Sequence, residues 1–266
     1  MRAYRLAYDG TGYRGFQRQP HGETVEDALF EALWDLDVAF EDGSPAGYTA
    51  AGRTDAGVSA RAQTVAFEAP AWLRPRAFDA ELPTDVRAWA VATVDADFHA
   101  TRDAAARTYR YFLYAPDAAD DLADEACRRL SGYHEFGDFT PDEEGTVRDV
   151  AIDVVRDGPF LVVDVRAGGF PRQLVRRLVT AIEAVARARR EPAFLDRALG
   201  PVPLEGPDGI APAPPEPLVL ADVAYPSVAF EVDEPAASVA RDLFAERRRG
   251  RLAAARVAGH IASLGP

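Results

Sequence analysis

Strand-like and helical segments alternate along this chain in a similar order in each half, and that order constrains the fold more than any single motif. Ala3–Tyr8 (AYRLAY) reads as a strand. A Gly-rich loop, Asp9–Gln19, separates it from a helix that Thr24 can cap and that begins at Val25, with Asp27 in its first turn. Val25, Ala28, Leu29, Ala32, Leu33 and Leu36 recur at helical spacing, so one face of that helix belongs to a core. A second Gly-rich loop, Ala50–Val58, precedes a strand at Thr64–Phe67. A short helix near Arg76–Glu81 and a strand near Ala88–Val94 complete the first half. The second half opens on a strand at Arg107–Tyr114 (RTYRYFLY). It continues with a helix over Leu122–Leu130, strands near Val147–Val155 and Phe160–Arg166, and a long helix over Arg172–Arg189. Beyond a Pro-rich linker, Gly200–Pro217, come a last strand at Leu218–Tyr225 and a helical end, Pro235–Ser263, which carries the Arg247–Arg251 cluster.

Two strand-rich halves with interspersed helices predict an α+β fold, an antiparallel sheet with helices on one side. The expected division is 1–104, holding both Gly-rich loops, and 105–266, ending in the helical tail; a cleft between the halves is the natural site. A length of 266 residues fits one large or two modest domains. No apolar run approaches the roughly 18 residues that span a bilayer, which excludes a membrane-spanning helix. The N-terminus has no apolar segment of signal-peptide type behind it, so a cytoplasmic location is expected. The single Cys127 excludes a disulfide framework and an all-cysteine zinc site. It falls in a helical stretch and reads as a core residue. His21, His99, His134 and His260 are scattered, so no metal is expected, and His99 and His134 read as structural.

Charge bears on the partner. The formal net charge is −13, and all 30 basic residues are Arg. Net acidity ordinarily argues against a nucleic-acid partner. An acidic surface on which Arg replaces every Lys, however, suits a salt-rich cytoplasm, and a GC-rich genome favours the same codons. In molar salt, phosphate contacts lose much of their counterion-release advantage. Local Arg clusters then matter more than the overall sign, and stacking and hydrogen bonds carry more of any RNA binding.

Two loops could carry chemistry. Gly10-Thr11-Gly12-Tyr13-Arg14-Gly15 spells G-x-G-x-x-G after a strand. A dinucleotide site needs a helix opening inside that pattern. Phe16–Gly22 instead contains Pro20 and has no helical period, and Asp35 falls inside a helix and not at a strand end. A loop of tight turns is the better reading, with a nucleotide-cofactor enzyme as the alternative. In Ala50–Ala60, Gly52 and Gly57 allow sharp turns and close approach to a ligand. Asp55 lies between them with Arg53 two residues before it. Taken alone, the favoured reading is a surface turn in which Asp55 bonds local backbone N–H groups.

The order of several blocks decides between those readings. Gly52-Arg53-Thr54-Asp55-Ala56-Gly57-Val58 is accompanied by Tyr8-Asp9-Gly10-Thr11-Gly12-Tyr13-Arg14-Gly15-Phe16-Gln17. Phe98–Arg102, Arg107–Tyr111, Gly132–Phe136, Gly169–Arg176 and Ala213–Leu220 follow in turn. Together they resemble the TruA family of tRNA pseudouridine synthases over roughly the first 225 residues. Ser59 stands where many members have His, and Pro217 where many have Gly. The helical tail beyond Tyr225 matches none of these blocks.

The resemblance implies two ferredoxin-like or RRM-like halves in a mixed, mainly antiparallel sheet flanked by helices, meeting at a cleft with Asp55. It implies an isomerase that converts uridine to pseudouridine at positions 38 to 40 of the tRNA anticodon stem-loop, with no cofactor. A homodimer that grips tRNA is also implied. Asp55 becomes the essential carboxylate, attacking the sugar carbon, attacking the base or removing the C2′ proton. Arg176 becomes the partner that keeps it ionised in a dry pocket. Tyr109 becomes the ring that stacks on uracil and assists proton transfer, with Tyr111 of the same alternation parity as its competitor. Arg53 is the residue that could fill the gap left by a flipped base. Arg14 and Gln17, with Arg18, Tyr13 and Phe16, suit unstacked RNA. Arg172, Arg176 and Arg187 share a helix face and could form a basic stripe. The Arg247–Arg251 cluster reads equally as a phosphate site or as a solvated helix face. A catalytically silent RNA-binding module of the same fold is the alternative function.

Overall fold

The computed structural model describes residues 1–204 and 206–264. Glu205, within the Pro-rich stretch, and the last two residues lie outside the described part. In chain order the elements are β1 (Arg2–Tyr8), α1 (Val25–Asp35), β2 (Phe40–Glu41), β3 (Ser44–Pro45), β4 (Thr49–Ala50), β5 (Ser59–Phe67), α2 (Pro75–Phe78), β6 (Val86–Thr93) and β7 (Ala106–Tyr114). They continue as α3 (Asp120–Leu130), β8 (Gly132–Glu135), β9 (Val147–Asp157), β10 (Phe160–Ala167), α4 (Leu174–Ala186), α5 (Ala193–Ala198), β11 (Leu218–Ala224), β12 (Glu231–Val232) and α6 (Glu234–Ala262).

One ten-stranded sheet runs through the molecule in the order β12-β6-β1-β5-β11-β7-β10-β9-β8, with β4 also paired to β5. Among the described residues every ladder is antiparallel except β5 with β11, where Val219 pairs with Ser59 and Leu220 with Ala60. That parallel pair joins the first-half strands to the second-half strands. Leu220 also pairs with Tyr109 of β7. Ala60, Leu220 and Tyr109 therefore lie in a line across the sheet, and the loop just ahead of β5 ends close to the middle of β7.

Period-two alternation on β7 separates the two faces. Tyr109, Tyr111 and Leu113 are buried, whereas Phe112 and Tyr114 are exposed. The buried face carries α3 and α4. On α4, Leu174, Val175, Leu178, Val179, Ile182 and Val185 form the apolar stripe that seals it. The expectation of helices on one side holds for this layer, but α6 faces the other side. Its Phe244 and Arg248 border a cavity with Ala7, Phe112 and Phe160 of the strands.

Several boundaries move for identifiable reasons. The α1 helix starts at Val25 as expected, because Thr24 and Asp27 form a reciprocal capping box. The α4 helix begins at Leu174 and not at Arg172. The Arg172 backbone and guanidinium both bind Asp142, and Gln173 adopts a left-handed φ of 60°. β5 runs from Ser59, longer than expected, because β11 and β1 flank it at that end. The two-residue strands β2, β3, β4 and β12 carry too few residues to show a period.

Candidate active site

Both Gly-rich loops fold against each other, and Asp55 is presented at their junction. The base of the Ala51–Val58 loop is fixed by buried side chains. Arg107 donates from Nε and Nη2 to the Ala51 carbonyl at 3.1 and 2.7 Å, and Gln63 Nε2 donates to the Gly52 carbonyl at 2.7 Å. The Thr54 hydroxyl meets the Tyr8 hydroxyl at 2.8 Å. Phe16 N donates to the Thr54 carbonyl at 3.0 Å, and Gly57 N to the Tyr13 carbonyl at 3.2 Å. Val58 N closes the turn on the Asp55 carbonyl at 3.1 Å. Gly57 has φ +83°, and a Cβ there would sit 3.0 Å from Pro215, so this turn requires glycine. The G-x-G-x-x-G segment makes a single 3₁₀ turn, Gly10–Gly12, and the next helix waits until Val25. It is a packed loop without the strand–turn–helix shape of a dinucleotide site.

Asp55 points toward the start of α4. Arg176 Nη1 lies 3.0 Å from Asp55 Oδ2, and Arg176 Nε donates to the Ala213 carbonyl at 2.6 Å. The Arg176 side chain is 13% exposed and that of Asp55 36%. Among the described residues the other oxygen, Asp55 Oδ1, has no hydrogen-bond partner. A carboxylate held by one oxygen and open at the other can still reach a ligand.

Tyr109 completes the group from β7. Its ring meets Phe170 edge-on at 5.2 Å between centroids. Burial, with the nearby negative charge of Asp55 adding to it, pushes its phenol up to about 12, so at neutral pH it is a protonated donor. The structure separates it from Tyr111, whose hydroxyl is committed to the Pro214 carbonyl at 3.1 Å.

The remaining candidates lie around this centre. Arg53 and Gln17 are exposed, and Arg14 is exposed and paired with Glu23 at 2.7 Å. None of the three touches the Asp55 carboxylate. The basic stripe on α4 does not form. Arg172 pairs with Asp142, Arg176 with Asp55 and Arg187 with Glu183, so each guanidinium has its own carboxylate. The Arg247–Arg251 cluster is not a uniformly solvated face either: Arg247 and Arg251 both reach Asp9. His99 Nδ1 accepts from the backbone of Thr101, and His134 bonds the Ser131 carbonyl. Burial pushes the Cys127 thiol up to about 12, as suits a core residue.

Sequence reasoning missed Arg107, Tyr8 and Thr54 as supports. Arg107 stood in plain view beside Tyr109, but nothing in its spacing shows that it bonds Ala51, Thr101 and Gly168 together. The departure at Ser59 has a local role. Its hydroxyl accepts from Gly10 N at 3.1 Å, joining the two loops.

Residues 126–226 match the family described as tRNA pseudouridine synthase. A tRNA pseudouridine synthase A of Natronomonas pharaonis is 69% identical over 263 residues, covering 98% of each chain. That of Haloarcula marismortui is 58% identical over 271 residues, again covering 98% of each. That of Halobacterium salinarum is 54% identical over 265 residues and 99% of each. The class so defined is a pseudouridine synthase, an isomerase. The chain belongs to the TruA family of tRNA pseudouridine synthases, and the three relatives just named come from salt-loving archaea, as the Lys-free acidic composition led us to expect.

Proposed function

We propose that this chain isomerises uridine to pseudouridine in the tRNA anticodon stem-loop, at positions 38 to 40, with Asp55 as the essential carboxylate. The observation that carries the reading is the half-exposed Asp55, fixed through Oδ2 by Arg176 at 3.0 Å and free at Oδ1. The reaction breaks the N1–C1′ bond, turns the base and rejoins it through C5, with loss of the C5 proton. Attack on the sugar carbon, attack on the base and removal of the C2′ proton all need the same free carboxylate oxygen. Arg176 aims that carboxylate. Tyr109 offers an aromatic face for uracil and a protonated hydroxyl for the transfer at C5. Arg53, exposed two residues away, fills the space left by the extruded base. Arg14 and Gln17 contact the RNA beside it.

A second copy is the partner we propose for the free end of α6. Leu252, Val257 and Ile261 are exposed there, and no acidic residue follows Glu246. The open sheet face offers exposed Phe112, Tyr114 and Val155 with acidic Asp153 and Asp157, a complementary surface. Sedimentation in molar KCl should give a dimer mass, and a monomer would remove this part of the proposal.

Tritium release from tRNA labelled at uridine C5, in molar KCl, tests the reaction with wild type and Asp55→Ala side by side. Release by wild type alone supports the reading. No release from a folded, tRNA-binding wild type would overturn it in favour of a silent binding module, and mapping the labelled positions tests the site within the tRNA.

A further inference from the structure

The tail helix makes an unexpected connection. Its first turns are buried on β6 through Ala236, Ala237 and Ala240. Farther along, a cavity of about 710 Å³ separates it from the sheet. Across that gap Arg247 Nη1 reaches Asp9 Oδ2 at 2.9 Å and Arg251 Nη2 reaches the same atom at 2.5 Å. The two arginines stand one helical turn apart on one face. Asp9 itself is sealed, its side chain 6% exposed. Its Oδ1 accepts from Thr11 N and Thr11 Oγ1, capping the 3₁₀ turn Gly10–Gly12. That turn is pressed against the loop carrying Asp55. A Cβ on Gly10 would lie 2.0 Å from the Val58 carbonyl oxygen, and Gly10 N donates to Ser59. Tyr13 and Phe16, farther along the same loop, hold Gly57 and Thr54 by backbone bonds. A continuous chain of contacts therefore runs from α6 through Asp9 and the first loop to both sides of Asp55. The family match ends at residue 226, before this helix begins.

We propose that α6 is a positioning clamp for the catalytic loop: Arg247 and Arg251 hold Asp9, and the loop from Asp9 to Phe16 holds Asp55 in register with Arg176 and Tyr109. Arg247, Arg251 and Asp9 act as positioning residues, without touching the substrate. The clamp rests on the reading of Asp55 as the essential carboxylate, but its mechanical half can be measured without turnover. Removing the arginines leaves the sealed Asp9 carboxylate without a counter-ion, and removing the Asp9 charge releases the loop from the helix; either change loosens the loop before it unfolds the domain.

The test compares wild type with Arg247→Ala/Arg251→Ala, Asp9→Asn, the triple variant and Arg247→Lys/Arg251→Lys, all in molar KCl. Amide hydrogen exchange at Phe16 and Gly57 reads the loop junction. Single-turnover rate at saturating tRNA and tRNA affinity over a range of salt read the function. The double alanine variant should lose protection at both amides by about 10-fold. Its saturated rate should fall about 10- to 50-fold, with tRNA affinity within about two-fold of wild type. The lysine pair should restore most of the rate. Asp9→Asn should reproduce the loss, and the triple variant should be no worse than either parent, the non-additivity expected of one coupled unit. Unchanged exchange at Phe16 and Gly57 would overturn the clamp. So would a saturated rate that stays wild-type while tRNA affinity drops and its salt dependence flattens, since that pattern assigns the arginines to phosphates. If wild type itself releases no label, the assignment of Asp55 fails, and the exchange data alone decide whether the clamp exists.

Discussion

Two helices of the second half each send arginine into a loop of the first half, and the two contacts differ in a way that sorts their roles. Arg176 of α4 meets Asp55, whose side chain remains 36% exposed with one oxygen free. Arg247 and Arg251 of α6 meet Asp9, whose side chain is 6% exposed and whose oxygens are taken by two guanidiniums and by its own turn. An accessible carboxylate held by one partner can act on a ligand. A sealed carboxylate with every oxygen engaged can act only on the shape of its loop. The chemistry of the side chain is the same in both places, and its surroundings decide what it can do.

The largest effect should come from the open contact. Asp55→Asn keeps the volume and the bond to Arg176 but removes the charge, and turnover should fall at least about 1,000-fold with the fold and most tRNA affinity intact. Residual turnover of more than a small percentage of wild type would sink the catalytic assignment. Arg176→Ala should cost about 100-fold by freeing Asp55 and leaving the Ala213 carbonyl without its donor, while Arg176→Lys recovers part of the rate because a point charge replaces a two-sided hold. If alanine and lysine at that position are equally poor, geometry and not charge is what Arg176 supplies. Tyr109→Phe keeps the ring against Phe170 and removes the donor, so the rate should fall about 10- to 100-fold. Wild-type rate in Tyr109→Phe with a poor Tyr109→Ala would leave stacking as the ring's only part.

The two contacts also differ in how readable they were. Helical periodicity places α4, and the ordered blocks point to Asp55, Tyr109 and Arg176. Those three residues fall inside the blocks that resemble the family, so the sequence alone singles them out. Asp9 sat inside the same blocks, yet it read as an ordinary loop residue. Its partners are 238 and 242 residues away on a tail without a matching block. A long-range pair of that kind leaves no spacing signal in a single chain. The same holds for the stripe expected on α4. Helical geometry put Arg172, Arg176 and Arg187 on one side, but Asp142 and Glu183, which claim two of them, arrive from another loop and from the neighbouring turn. Periodicity shows which side chains share a face. It does not show what comes to meet them.

A third carboxylate sharpens the comparison because, among the described residues, no guanidinium is bonded to it. Asp79 accepts from Ala88 N at 2.7 Å, but its Oδ2 is buried with no hydrogen-bond partner among the described residues, as is Nε of Arg87 nearby. Burial pushes this carboxyl up to about 7, a rise that Arg87 and the Ala88 bond only partly oppose. The sign is therefore the reverse of that for Asp9, where burial also pushes upward but the hydrogen bonds from Thr11 and Arg247 and the charge of Arg251 together outweigh it and hold the carboxyl below the usual range. Between about pH 4 and 7 the folded chain keeps a proton on Asp79 that the unfolded chain releases, so this residue's contribution is full in acid and is lost as pH rises. Asp79→Asn retains the acceptor for Ala88 and removes the titration. Its stability relative to wild type should move in the variant's favour by on the order of 1–3 kcal/mol between about pH 4 and about pH 8, with turnover unchanged. Denaturant midpoints at those two pH values in molar KCl measure the shift. Equal offsets at both would mean that Asp79 stays ionised in the folded chain, and that burial without a guanidinium is tolerated at the edge of this sheet.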